Sequence, residues 1–151
     1  MIEMNSKCPT EVVWLGYGGL LPFIGLAIAG VVDPLHSPRY AQALMGYGAV
    51  ILSFVGALHW GFAMTAGALE RAQRRRAFVW SVMPALMAWA AIVLQGAGGV
   101  LILVAGFLLQ LSQDVRLARP AALARWYLPL RWRLTVVAVG CLVVGLGGNG
   151  W

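Results

Sequence analysis

The stretch Tyr47-Gly48-Ala49-Val50-Ile51-Leu52-Ser53-Phe54-Val55-Gly56-Ala57-Leu58-His59-Trp60-Gly61 decides the fold. It carries no formal charge, yet it holds glycines, one serine and one histidine among apolar residues. An ionisable side chain inside such a run tends to face a helical bundle rather than lipid. The stretch therefore reads as the middle of a membrane-spanning helix packed among others.

The composition agrees. The chain has 151 residues, 61% hydrophobic and 11% charged, against about 25% charged in ordinary soluble domains. It cannot cover a water-exposed surface, so membrane is the class to test. The formal charge of +6 would suggest nucleic acid in a soluble protein, but lysine and arginine also gather in cytoplasmic loops of membrane proteins.

Outward from the central stretch, the helices can be counted. The uncharged run 12–32 is long enough for a hydrocarbon layer of about 30 Å, although Pro22 and five glycines interrupt it. Ala27-Ile28-Ala29 has the form of a signal-peptide cleavage site. The weak basic start, Lys7 against Glu3 and Glu11, and the length of the run favour a retained span. Ser37-Pro38 marks the start of a second helix, 39–66. The basic connection Glu70-Arg71-Ala72-Gln73-Arg74-Arg75-Arg76 follows. Residues 77–113 then carry no charge; as one helix they would reach about 55 Å, too long for a bilayer. Gln95-Gly96-Ala97-Gly98-Gly99 is the breaker, which predicts a hairpin of helices 77–94 and 99–116, the first kinked at Pro84. Pro120 and Pro129 bracket an interfacial helix, 121–128, with aromatics at headgroup level. A fifth span covers 134–150. The expectation is an all-α integral membrane bundle of five transmembrane helices in a single polytopic domain, 1–151.

Alternating sides place Lys7, four arginines of 70–76 and five of 114–133 together, ten of the eleven basic residues, with Arg39 the exception. The positive-inside rule then gives N-terminus inside and C-terminus outside. Topology thus accounts for the charge, and nucleic acid is not an expected partner. Arg71, Arg74, Arg75 and Arg76 are candidates for anionic-lipid contact. Cys8 and Cys141 would lie at different depths, too far apart for a disulfide, and no His/Cys cluster has metal-ligand spacing.

Two features could carry function. Ala49, Ser53, Ala57 and Gly61 recur at every fourth position, widened by Gly56, and form a candidate helix-packing seam. His59 lies 18 residues beyond Ala41, and Asp114 lies 15 beyond Gly99; at 1.5 Å per residue these are depths of about 27 and 23 Å. Ser53 and Gln110 match in the same way. Ser53, His59, Gln110 and Asp114 are thus a candidate polar site between the second and fourth helices. In the alternative, His59 bonds a backbone carbonyl or snorkels toward the headgroups beside Trp60. No phosphate-binding loop, dinucleotide fingerprint or nucleophile elbow is present, and haem held by two histidines would need a second one in the bilayer. No cofactor is expected.

The central stretch, and within it Ser53-Phe54-Val55-Gly56-Ala57-Leu58-His59-Trp60-Gly61, resembles the motif of the domain of unknown function 3429 family, the relatives of transmembrane protein 69. Further similarity lies in Pro84 to Trp89 and in Trp126-Tyr127-Leu128-Pro129-Leu130-Arg131 followed by Thr135. The resemblance implies a small bacterial integral membrane protein of several helices, expected in the cytoplasmic (inner) membrane, and supplies no activity. The sequence leads to a non-catalytic assembly or interaction partner, of another membrane protein or of further copies of itself. The alternatives are a small transporter or lipid- or quinone-binding protein using the polar site, and then a membrane enzyme.

Overall fold

The computed structural model describes residues 8–147 as helices and short connections, with no strand among them. The helices are α1 (Thr10–Gly18), α2 (Leu21–Val32), α3 (Ser37–Thr65), α4 (Arg71–Leu94), α5 (Gly96–Ala118) and α6 (Tyr127–Gly147). Five helical segments are long and apolar enough to cross a membrane, α1 and α2 together forming the first. Lys7 and the end of the expected fifth span, 148–150, lie outside the described residues.

Pro22 explains why the first span is broken. Its ring clashes with the carbonyl four residues earlier and it offers no N–H, so α1 ends at Gly18 and α2 starts at Leu21. A carbonyl left unbonded in hydrocarbon costs several kcal/mol, so such breaks need a local donor. The Tyr47 hydroxyl supplies one, donating to the Gly19 carbonyl at 2.8 Å. The tyrosine that opens the central stretch thus ties α3 to the broken span.

The α4–α5 hairpin is tighter than the sequence suggested. Gln95 and Gly96 both have positive φ, 53° and 57°, and α5 begins at Gly96 rather than 99. A side chain at Gly99 would collide with the Ala91 carbonyl oxygen and meet Met45 Sδ at 2.9 Å. That glycine permits close packing inside the helix instead of breaking it.

Both basic connections prove to be helical in part. Glu70 and Gln73 form a reciprocal capping box, so the arginines from Arg71 onward occupy the first turns of α4. Similarly, α6 begins at Tyr127, seven residues before the last apolar run, and takes in Arg131 and Arg133. The expected interfacial helix at 121–128 is absent. Residues 119–126 are turns and irregular chain, with Ala122 at a φ of 50°, which interrupts any right-handed helix. Pro129 falls in the first turn of α6, where its missing N–H has no intrahelical partner to lose.

The most extensive helix pairing is α3 against α4. At its centre a side chain on Gly56 would lie 2.7 Å from both Cβ and Cγ of Pro84, so the proline ring occupies the space a side chain would need. The main apolar core gathers Phe23, Leu44, Leu52, Leu103, Phe107 and Leu142 from α2, α3, α5 and α6.

Candidate functional site

The C-terminal part of α3 and of α5 and the N-terminal part of α4 and of α6 meet at the arginine-rich end of the bundle. Just inside that end lies a buried polar cluster. His59 is 2% exposed, and Gln110 and Asp114 are 0%. At the centre is Gln110, whose orientation is fixed by Trp80. An indole N–H only donates, and Trp80 Nε1 lies 2.8 Å from Gln110 Oε1. The Gln110 amide nitrogen must then face the opposite way, toward the Val55 carbonyl at 3.2 Å, His59 Nδ1 at 3.0 Å and Asp114 Oδ1 at 3.3 Å. With Nδ1 accepting from the amide, the imidazole hydrogen sits on Nε2, which is 3.7 Å from Asp114 Oδ1.

Asp114 is the charged centre of the cluster, and its partner is Arg131. The Arg131 Nε–H donates to Oδ2 at 2.8 Å, while the Tyr127 hydroxyl donates to Oδ1 at 3.3 Å. A buried carboxylate is tolerated only when paired and hydrogen-bonded, and here a guanidinium one helix away meets both needs. The Asp114–His59 pairing expected from matched depths is thus a secondary contact.

The structure brings together His59, Gln110 and Asp114. Ser53 stands apart, its hydroxyl donating to the Ala49 carbonyl at 2.9 Å, the back-bond typical of serine in a helix. No Ser53–Gln110 pair forms, because Gln110 bonds the backbone at Val55 instead. Snorkelling by His59 is also not observed; its ring is enclosed, edge-on to Phe62 with centroids 6.2 Å apart.

The packing seam needs a similar correction. Ala49 and Gly56 are buried and Ser53 is half-buried, but Ala57 and Gly61 are exposed. Four residues turn a helix by about 400°, so a strict four-residue row drifts by roughly 40° at each step. Over the two steps from Gly48 through Leu52 to Gly56, the row one position earlier stays buried, and it carries the close packing. A side chain at Gly61 would meet nothing within 4 Å.

Of the four arginines singled out, Arg74 is turned inward. Its guanidinium donates to the Ala63 carbonyl at 2.9 Å and the Ala66 carbonyl at 3.2 Å, completing the C-terminus of α3. Arg71, Arg75 and Arg76 are exposed. Arg75 and Arg76 join Arg116, from α5, around a cavity of about 830 Å³ whose lining includes Trp80, Gln113 and the buried His59. A second cavity, of about 470 Å³, lies among α1, α3 and α6 on the other side of the cluster.

Arg131, Tyr127 and Trp80 are the members that sequence reasoning missed. Arg131 was grouped with topogenic charge because the apolar run begins after it. The available signal was spacing: Tyr127, Arg131 and Thr135 fall at intervals of four, on one face of a helix, and all three are buried. No group of three or more metal-ligating side chains occurs among the described residues.

Outside the spans, Asp33 and His36 join α2 to α3, with His36 Nδ1 2.8 Å from Asp33 Oδ2. That hydrogen bond holds the Asp33 carboxyl below its ordinary value.

Comparison with known proteins places these features in context. The family described as protein of unknown function (DUF3429) matches residues 8–147. Transmembrane protein 69 of Xenopus tropicalis is 33% identical over 147 residues, covering 96% of this chain and 57% of that protein. Transmembrane protein 69 of Mus musculus is 27% identical over 140 residues, covering 91% of this chain and 56% of that protein. The chain thus spans just over half the length of these relatives. No solved structure matches it. With the family match running from Cys8 to the end of α6, this multi-pass helical chain belongs to the DUF3429 family.

Proposed function

We propose that the chain is a non-catalytic membrane protein that holds an anionic lipid headgroup at its arginine-rich end. The supporting observation is the 830 Å³ cavity bounded by Arg75, Arg76 and Arg116. Guanidinium groups are well suited to phosphate, which they bind in a bidentate manner. Trp80 in the same lining suits the interfacial depth of a headgroup. In this reading His59 lines the inner wall, with Gln110 and Asp114 behind it, and Ser53 serves helix packing. Asp114 is enclosed and already engaged by Arg131, so it offers no open position to a reacting group. That supports binding over catalysis. An orientation with the arginine-rich end facing the cytoplasm, in a bacterial inner membrane, is part of the same proposal and rests on the clustering of basic residues.

Reconstitution into phosphatidylcholine nanodiscs with and without phosphatidylglycerol tests the reading. Phosphatidylglycerol is expected to raise the thermal midpoint of the natural protein and of Arg71→Gln. It should have little effect on the R75Q/R76Q/R116Q variant. An equal response from the triple variant would refute the site.

The second reading, an assembly partner or homo-oligomer, is favoured by one observation. Ala57 and Gly61 are exposed on α3 with open space beyond Gly61, where another helix could approach closely. Crosslinking through cysteines introduced at these two positions, in native membranes, tests it.

A further inference from the structure

We propose a second binding site, for a neutral lipophile bearing a carbonyl or ester oxygen, in the 470 Å³ cavity on the far side of the polar cluster. The cavity is lined almost entirely by apolar side chains, including Leu15, Phe54, Trp126 and Leu134, and it lies within the size range of sites that enclose small ligands. Its polar lining residues include Arg131 and Thr135. Each is more than nine-tenths buried, and each carries a polar atom, Arg131 Nη2 and Thr135 Oγ1, without a hydrogen-bond partner. Buried polar groups are normally satisfied, and hydrocarbon supplies no water to satisfy them. Two unsatisfied donors bordering one apolar cavity call for an acceptor inside it. Both atoms sit in the wall rather than on its surface; a χ1 rotation of Thr135 between staggered wells brings its hydroxyl to a ligand oxygen, while Arg131 stays on Asp114.

The charge of the acceptor follows from Asp114. Its carboxylate already balances Arg131 at 2.8 Å. A carboxylate ligand would add a second negative charge beside that pair, inside apolar walls, with nothing to compensate it. A carbonyl or ester oxygen accepts the same hydrogen bonds without that cost. This site differs from the arginine cavity in both position and chemistry, since that one is bounded by exposed cations and this one by a neutralised pair.

Binding to the full chain in detergent micelles tests the proposal, with decyl-benzoquinone as the probe and tryptophan quenching as the readout. Trp126 lines the cavity, and a tryptophan ester in the same micelles corrects for partitioning. The natural protein is expected to show saturable quenching. Thr135→Val keeps the shape and removes the hydroxyl; it should weaken binding roughly fivefold to tenfold, the effect of one hydrogen bond. Thr135→Ser retains the hydroxyl and should bind within about twofold of the natural protein, on the same hydrogen-bond argument. Dodecane and dodecanoate should compete poorly. Unchanged binding by Thr135→Val would overturn the proposal. So would effective competition by dodecane, which would mark the cavity as a crevice for acyl chains, or by dodecanoate, which would show that charge is tolerated. Absence of saturable quenching in the natural protein would overturn it as well.

Discussion

Arg131 on α6 donates its Nε–H to Asp114 on α5 at 2.8 Å, and both side chains are buried where the two helices meet. Breaking such a pair from one side leaves an uncompensated buried charge. Replacing Arg131 by methionine, or Asp114 by leucine, should therefore each destabilise the protein by about 3–5 kcal/mol. Combining Asp114→Leu with Arg131→Met should cost clearly less than the sum of the two. A double-mutant cycle from reversible unfolding in mixed micelles checks this. Strict additivity would mean that the two charges are not coupled.

Trp80 governs the tautomer of His59 through Gln110. Nitrogen-15 NMR of labelled histidine should show the His59 hydrogen on Nε2. Trp80→Phe removes the donor to Gln110 Oε1 and frees the amide to rotate, so signals from the Nδ1–H form should appear. The same substitution should cost about 1–3 kcal/mol, because Gln110 loses a buried partner. A His59 spectrum unchanged by Trp80→Phe would show that Trp80 does not set the tautomer.

The glycines of the central stretch separate by their surroundings. A side chain at Gly56 meets Pro84 at 2.7 Å, so Gly56→Ala must push α3 and α4 apart and should cost about 1–3 kcal/mol. Gly61→Ala meets open space and should be neutral or stabilising by up to about 1 kcal/mol, since alanine favours the helix. Thermal midpoints of the two variants, measured side by side, decide the matter.

Asp33 gives the α2–α3 connection a pH dependence. Its carboxyl is held below the ordinary value of 3.8, chiefly by the hydrogen bond with His36. A lowered native pKa contributes stability that is present above the unfolded value and is lost as pH falls through the native one. The advantage of the natural protein over Asp33→Asn in thermal midpoint should thus narrow as pH drops below 3.8. The effect is small, because the pair is exposed and screened by solvent. An advantage that is constant or grows with acid would contradict the assignment.

Hydropathy made the spans legible, because hydrocarbon imposes length and apolarity on each one separately. It could not mark where α4 and α6 begin, since helix start depends on a capping box at Glu70 and a proline tolerated at 129 rather than on apolarity. That limit also hid Arg131. A charge outside an apolar run looks topogenic until the helix is known to extend through it. Depth counting brought His59 near Asp114 because both lie on regular helices with a fixed rise. It paired Ser53 with Gln110 wrongly because depth says nothing about azimuth, and Ser53 turns back onto its own helix. Trp80 left no trace in the sequence, since an indole near a headgroup boundary is equally well explained as an anchor.

In the proposed function, guanidinium groups from two helices, α4 and α5, together hold an anionic lipid. Native mass spectrometry of the protein released from detergent, after purification from membranes containing phosphatidylglycerol, tests it most directly. A retained anionic lipid is expected on the natural protein and on Arg71→Gln, strongly reduced in Arg116→Gln alone and lost in R75Q/R76Q/R116Q. Equal retention by the natural protein and the triple variant, or none by either, would contradict it.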